Sequence, residues 1–280
     1  MVFGRERIEI KTPAQIALMR RAGLVVASTL DVLRENAVAG VSTGELDRLA
    51  RENLARHGAT SNFLNYGADA HGRGGFPGVY CASVNEQIVH GIPGDQVLAD
   101  GDVFSIDFGA VVDGWHGDAA ITVGIGELSP ERAELIRVTE AALWVGIAAA
   151  TLGGRVDDIS GAIEDFVRGS GPYGITAGVT GHGIGSSMHQ PPYVPNTRTG
   201  RRTAKLVQGL VLAVEPMITL GTDNSATLAD DWTMVTTDGS CAAHFEHTFT
   251  LTPTGAWVLT AEDGGRERLE QMGVPYGGPR

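Results

Sequence analysis

The sequence predicts an α+β fold of two pseudo-symmetric halves whose strands share one sheet. Three observations predict it. Helical periodicity appears in two pairs of segments, one near the start of the 280 residues and one past the middle. Each pair is followed by short apolar runs of strand character. Acids then interrupt those runs in both halves: Asp107 and Asp118 in SIDFGAVVDGWHGDAAITV, and Glu215 at the end of LVLAVEP.

Thr12-Pro13 is a helix start, and Ile16, Met19, Gly23, Val26, Leu30 and Leu33 follow at helical spacing. After a turn at Ala39-Gly40-Val41, Ser42-Thr43-Gly44-Glu45 opens a second helix carrying Leu46, Leu49 and Leu54. A glycine-rich stretch from Gly67 to Gly78 leads into strand runs VYCASVN, QIVHGI, DVFSIDF and AAITVGI. The order then recurs. Ser129-Pro130 opens a helix through Leu135, Val138, Ala142 and Val145, and a turn at Gly153-Gly154 precedes a second through Ile159, Ile163 and Val167. Strands follow in LVLAVEP and HFEHTFTLT. Thr12-Pro13 aligns with Ser129-Pro130, Leu46 with Ile159, and Asp107 with Glu215, with slowly shrinking offsets. The expectation is an N-terminal extension over residues 1–11 and one domain over 12–280, with pseudo-repeats at about 12–128 and 129–252. No Pro- or Ser-rich linker divides it, and a shared site is expected where the halves meet.

Composition narrows the function. With 42% apolar and 19% charged residues the chain is an ordinary globular one. A formal charge of -12 argues against nucleic acid as the main partner, because phosphate binding needs a basic face. Two cysteines, Cys81 and Cys241, without a CxxC, fit a reducing cytoplasm. MVFGRERIEIKTP has no apolar signal core and no run is long enough to span a membrane, so a cytoplasmic location is expected.

Asp107, Asp118, His182, Glu215 and Glu246 form the central constellation. Acids in apolar strands are costly unless paired, hydrogen-bonded or metal-bound. Four of them with the glycine-flanked histidine of GHGIG make an oxygen-rich ligand set with one nitrogen, suited to Mn, Fe(II), Co or Zn. Asp113-Gly114 is a hairpin signal. A turn on those two residues pairs position 107 with 120 and leaves 118 diagonal to it; a turn one residue earlier pairs 107 with 118 directly. In both registers the two carboxylates share a face. His189 in GHGIGSSMHQPP and His90 in IVHGIPGD are candidates for donors or acids near the reaction centre, although each taken singly reads as structural. No HExxH, GxSxG or phosphate-loop ending occurs. The cysteines read as small buried residues rather than nucleophiles.

HGIPGD, SIDFGAVVDGWHGDAA, GHGIGSSMHQPP, AVEPMI and FEHT, in that order, resemble the signature segments of type I methionine aminopeptidases, from about Lys11 to the C-terminus. The resemblance implies the pita-bread fold, two pseudo-symmetric α+β halves with a central antiparallel sheet flanked by helices. It implies two divalent metal ions (Co, Mn, Fe(II) or Zn), with Asp107 chelating one, Asp118 and Glu246 bridging both, and His182 and Glu215 completing the second. His90 and His189 match the family's substrate-contacting histidines, and Trp232 matches a pocket tryptophan. The missing insertion between His189 and Glu215 points to type I, and the short N-terminus lacks a zinc-binding extension. Two departures concern the methionine pocket. Ala70 and Arg73 stand at about the places of a family cysteine and tyrosine, and Met188 precedes His189 where an aromatic is usual.

The expected activity is therefore hydrolytic removal of N-terminal methionine from nascent polypeptides with a small second residue. Glu215 would shuttle the proton of a metal-activated water. His189 would stabilise the oxyanion and His90 would sit on the scissile amide, while Phe76, Met188 and Trp232 would hold the methionine side chain. Nascent-chain N-termini are the expected partners, with transient ribosome association, no nucleic acid, no membrane and a monomeric chain. The alternatives are a proline-directed aminopeptidase or creatinase-like hydrolase of the same fold, which usually carries an extra N-terminal domain, and a metal-free peptide-binding module, which would lack ligands.

Overall fold

A computed structural model describes residues 8–279. Of the expected N-terminal extension, residues 1–7 lie outside the described residues. The helices begin where their caps are. In α1 (Pro13–Asn36) the Thr12 hydroxyl accepts from Gln15 N–H, and the Gln15 side chain accepts from Thr12 N–H, so two end donors are satisfied reciprocally. Ser42 and Glu45 do the same for α2 (Thr43–His57), which Gly58 closes in the left-handed region. Ser129 caps α3 (Pro130–Ala149). In α4 (Val156–Ser170) the first turn is held by Asp158, whose carboxylate accepts from Arg155 N–H at 2.7 Å.

Among the described residues the central sheet has nine strands. In chain order they are β1 (Thr60–Ser61), β2 (Tyr80–Val84), β3 (Val103–Val112), β4 (Trp115–Gly124), β5 (Gly181–Gly183), β6 (Gln190–Val194), β7 (Val211–Val214), β8 (Glu246–Thr252) and β9 (Gly255–Val258). All pairings are antiparallel, in the order β1-β3-β4-β8-β7-β5-β6, with β2 also on β3 and β9 also on β8. Strands from early and late in the chain thus meet at β4 and β8. Apolar faces of α1 and α2 pack with β2 and β3 around Leu33, Leu46, Phe104 and Phe108. Those of α3 and α4 pack with β7 and β8 around Leu135, Ile159, Val214 and Phe249, and Ile121 on β4 touches both clusters. Among the described residues no helix is long and apolar enough to cross a membrane.

Two three-stranded sheets flank this one. Gln87–Val89, Ser225–Thr227 and Met234–Thr236 form the first; Gly174–Ile175, Met217–Thr219 and Ala242–His244 form the second. Strands β5 and β6 are not legible as strands in the sequence. Gly181, Gly183, Pro191 and Pro192 have low strand propensity, and β6 is an edge strand, where proline's missing donor is tolerated. The short helix Arg266–Gln271 is also unforeseen.

Helix α1 lies unusually close to the sheet. A Cβ on Gly23 would sit 2.1 Å from the Leu259 carbonyl oxygen, and one on Gly117 would sit 2.8 Å from the Gly23 nitrogen. These are backbone atoms that no side-chain rotation can move. Gly23→Ala is therefore expected to lower stability by about 3 kcal/mol, at the upper end for overpacking, despite alanine's better helix propensity. Chemical denaturation of the two proteins measures it; an equally stable variant would contradict the close approach.

Candidate metal centre and pocket

The site is assembled by register. Asp113 and Gly114, with φ of 50° and 79°, form the turn between β3 and β4, and Val112 pairs with Trp115. Of the two registers left open above, the first is found. Asp107 pairs with Ala120 and Gly109 with Asp118, so the carboxylates are diagonal neighbours on one face. Gly109 is needed there, because a Cβ would stand 2.9 Å from Asp118 Oδ1 and 2.5 Å from the Asn62 amide nitrogen. Ala120 pairs on its other side with Glu246. Asp107 and Glu246 thus flank one alanine on adjacent strands.

Glu215 and Glu246 stand where two paired chains change sheets. Val214 pairs with His247 in the central sheet, while Met217 pairs with His244 in a flanking one. Pro216 has no N–H for either ladder, and its carbonyl accepts from Phe245 N–H at 3.4 Å. On the far side His182 pairs with Ala213 in β7. The His182 Nδ1 lies 3.0 Å from the Gly183 carbonyl, which only accepts, so the ring hydrogen is assigned to Nδ1. That leaves the Nε2 lone pair facing the acids, 3.5 Å from Glu215 Oε1.

Ligand atoms of Asp118, His182 and Glu246 lie within 4.8 Å of one another, and Asp107 and Glu215 line the same cavity. Among the described residues no lysine or arginine lines it. Burial pushes the Asp107 carboxyl up to about 7, a hydrogen bond with Cys81 opposing the shift. Burial, and then repulsion from Asp107, raises Asp118 well above its ordinary value. Glu215 and Glu246 are raised by burial and then by the neighbouring acids. The histidines do not compensate. Burial and then His189 hold His182 at about 3 and His90 at about 4, while burial and then His90 hold His244 at about 3. Asp107 Oδ1, Asp118 Oδ1 and Glu246 Oε1 have no hydrogen-bond partner among the described residues. Four clustered carboxylates, three of them with a sealed, unpartnered oxygen, and a neutral imidazole lone pair are a donor set that fits divalent cations.

The two other predicted histidines line the same cavity. His90 sits at φ 61°, a costly backbone for a non-glycine residue. It is held there by Gly91, whose carbonyl accepts from Ala82 N–H at 2.8 Å and whose own N–H donates to Ser83 Oγ at 3.2 Å. His189 stands at the mouth with one side in solvent, yet enough protein surrounds it that desolvation lowers its pKa.

Phe76, Met188 and Trp232 gather in one apolar wall, with the Phe76 and Trp232 rings edge to face at 5.4 Å. The cavity, about 180 Å³, suits one side chain rather than a large ligand. Ala70 and Arg73 do not reach it: both are on an exposed loop, where Arg73 pairs with Asp69 at 2.9 Å. The wall is completed by Phe63, Tyr66 and Cys81. Burial and then Asp107 hold the Cys81 thiol well above its ordinary pKa, so it stays protonated.

The sequence did not mark His244, Cys81, Phe63 or Tyr66 as lining residues. His244 had a signal, since it lies two residues before Glu246, on the same side of an extended chain. Cys81 pairs across the sheet with Asp107, a partnership invisible without the register. Phe63 and Tyr66 had no periodicity to mark them, because the loop between Tyr66 and Phe76 hides their proximity to Phe76.

Residues 17–253 match metallopeptidase family M24. A methionine aminopeptidase of Clostridium acetobutylicum is 44% identical over 254 residues, covering 90% of this chain and 98% of its own. Methionine aminopeptidase 1 of Mycobacterium tuberculosis is 45% identical over 263 residues, covering 92% and 96%. The crystal structure of a methionine aminopeptidase from Thermotoga maritima superposes with a TM-score of 0.87 at 37% identity, covering 91% of this chain and all of the other. The α+β pita-bread fold implied by the resemblance is the fold found.

Proposed function

Because the chain belongs to metallopeptidase family M24, among its methionine aminopeptidases, we propose that it hydrolyses the first peptide bond of nascent polypeptides in the cytoplasm and releases their N-terminal methionine. The observation that carries this reading is the convergence of four buried, uncompensated carboxylates and the His182 lone pair on one side of a small apolar cavity. Asp107, Asp118, His182, Glu215 and Glu246 hold two divalent cations, drawn from Co, Mn, Fe(II) and Zn. When bound, such cations supply hydroxide near neutral pH and polarise a carbonyl.

The chain's own residues do the rest. The apolar wall of Phe76, Met188 and Trp232 takes the methionine side chain and excludes water from the reacting bond. Glu215, on the acid face of the cavity with Oε1 3.5 Å from His182 Nε2, accepts a proton and returns it to the leaving amine. His189 donates to the carbonyl oxygen as negative charge develops there, and His90 contacts the scissile amide, its low pKa keeping it neutral at working pH. Exclusion of long second residues at the rim, and so a preference for small ones, rests on the family resemblance.

Turnover of Met-Ala-Ser against an X-Pro peptide, with and without chelator, tests the reading. Methionine release that stops on chelation and returns on adding Mn, Co, Fe(II) or Zn is expected. Release indifferent to chelator, or cleavage of the X-Pro peptide alone, would overturn it.

A further inference from the structure

Tyr66 is exposed at the mouth of the cavity and belongs to neither the acid cluster nor the expected pocket residues. Its phenol oxygen lies 2.6 Å from His189 Nδ1, with the rings 5.2 Å apart and nearly perpendicular. The backbone holds it there. Asn65, at φ 64°, turns the chain; its N–H donates to the Phe76 carbonyl at 2.8 Å, and Phe76 N–H donates to the Tyr66 carbonyl at 2.9 Å. Gly75 allows this clamp, since a Cβ there would lie 2.7 Å from Asn65 Cα. The loop of residues 67–75 therefore leaves and returns at one point, sending Phe76 into the wall and Tyr66 to His189. The ring of His189 in turn stands edge to face on His182, centroids 4.3 Å apart.

From this contact we infer that Tyr66 is a positioning residue that selects the Nε2–H tautomer of His189 and holds its ring toward the reacting carbonyl. The phenol is the stronger donor of the pair and the imidazole nitrogen the stronger acceptor, so Tyr66 O–H donates to Nδ1. A neutral imidazole accepting at Nδ1 carries its hydrogen on Nε2. That nitrogen makes no hydrogen bond to any described residue and is free to donate into the cavity. Burial keeps the Tyr66 phenol protonated, with Tyr193 nearby acting in the same direction. The opposite tautomer would present a lone pair to a developing oxyanion and repel it. This deepens the proposed function and rests on its role for His189.

Tyr66→Phe in the full, zinc-loaded chain tests it by two readouts. Histidine-labelled 15N NMR, with His189 assigned by loss of its signals in His189→Gln, should show Nε2–H and a hydrogen-bonded Nδ1 in the parent. The variant should show a free Nδ1 and mixed tautomers, at an unchanged thermal unfolding midpoint. On Met-Ala-Ser, kcat should fall about 10-fold, less than the loss of an oxyanion donor itself, with KM within about twofold. A parent His189 protonated at Nδ1, an unaltered His189 spectrum in the variant, or an unchanged kcat beside normal methionine release overturns the positioning role. If neither protein releases methionine while the tautomer still changes, the positioning role stands and the proposed function falls.

Discussion

Glu246→Gln is expected to lose both cation binding and methionine release. Glu246 sits between Asp107 and Asp118 on one side and Glu215 on the other, paired through Ala120 and beside the sheet-switching point. Glutamine keeps the size but removes the charge and one acceptor. Residues that merely support ligands typically carry 10–100-fold in affinity or activity, so loss of a ligand itself should exceed about 100-fold. Asp107→Asn is expected to behave alike. The variant should also show an effect of opposite sign that a misfolded protein could not. In the cation-free state it should be more stable than its parent, because one of four mutually repelling buried carboxylates is gone. Metal titration by calorimetry, with denaturation of both chelated proteins, measures the two effects. A Glu246→Gln protein that binds cation normally and releases methionine would contradict the assignment.

The second large effect is in pH. Without cation, the Asp107 carboxyl is raised from 3.8 to about 7 and its neighbours are raised with it. Between those values the unfolded chain has released protons that the folded chain still holds. Stability must then fall as pH rises from the ordinary carboxylate range through about 7, the reverse of a salt-bridged acid. A tenfold change in proton affinity corresponds to about 1.4 kcal/mol, so Asp107 alone contributes a few kcal/mol over that window. A bound divalent cation should remove this decline, since it favours the charged form. Urea denaturation of chelated protein at about pH 5 and about pH 8, repeated with Mn, tests this through linkage. Cation-free protein equally stable at both would sink the idea that these acids lack a countercharge.

The parts of the fold legible in the sequence were those with local causes. Thr12, Ser42 and Ser129 marked helix starts because capping chemistry is confined to a few adjacent residues. Asp113-Gly114 marked the hairpin because only certain residues accept positive φ. The sheet-edge pieces Gly181–Gly183 and Gln190–Val194 were hidden because their pairing partners, not their own propensities, make them strands. Arg73 and Ala70 stood near the expected pocket positions in sequence, but the loop carrying them closes on itself and leaves the wall to Phe63 and Tyr66.

The four acids and the histidine could be selected from sequence because each is an energetic anomaly where it stands, a charged or polar group among apolar neighbours. By itself the sequence thus marked the candidate ligands, and it determined three helix starts, the hairpin and the family to which the chain belongs. Tertiary structure decided the register, which makes Asp107 and Asp118 diagonal rather than opposed, and the sheet switches that bring Glu215 and His244 to Glu246. It also decided which side chain meets His189, because Tyr66 is aimed at it by a loop that closes on itself between Tyr66 and Phe76. The division follows the range of the forces: caps and turns are settled within a few residues, whereas a shared site depends on pairings between strands far apart in the chain.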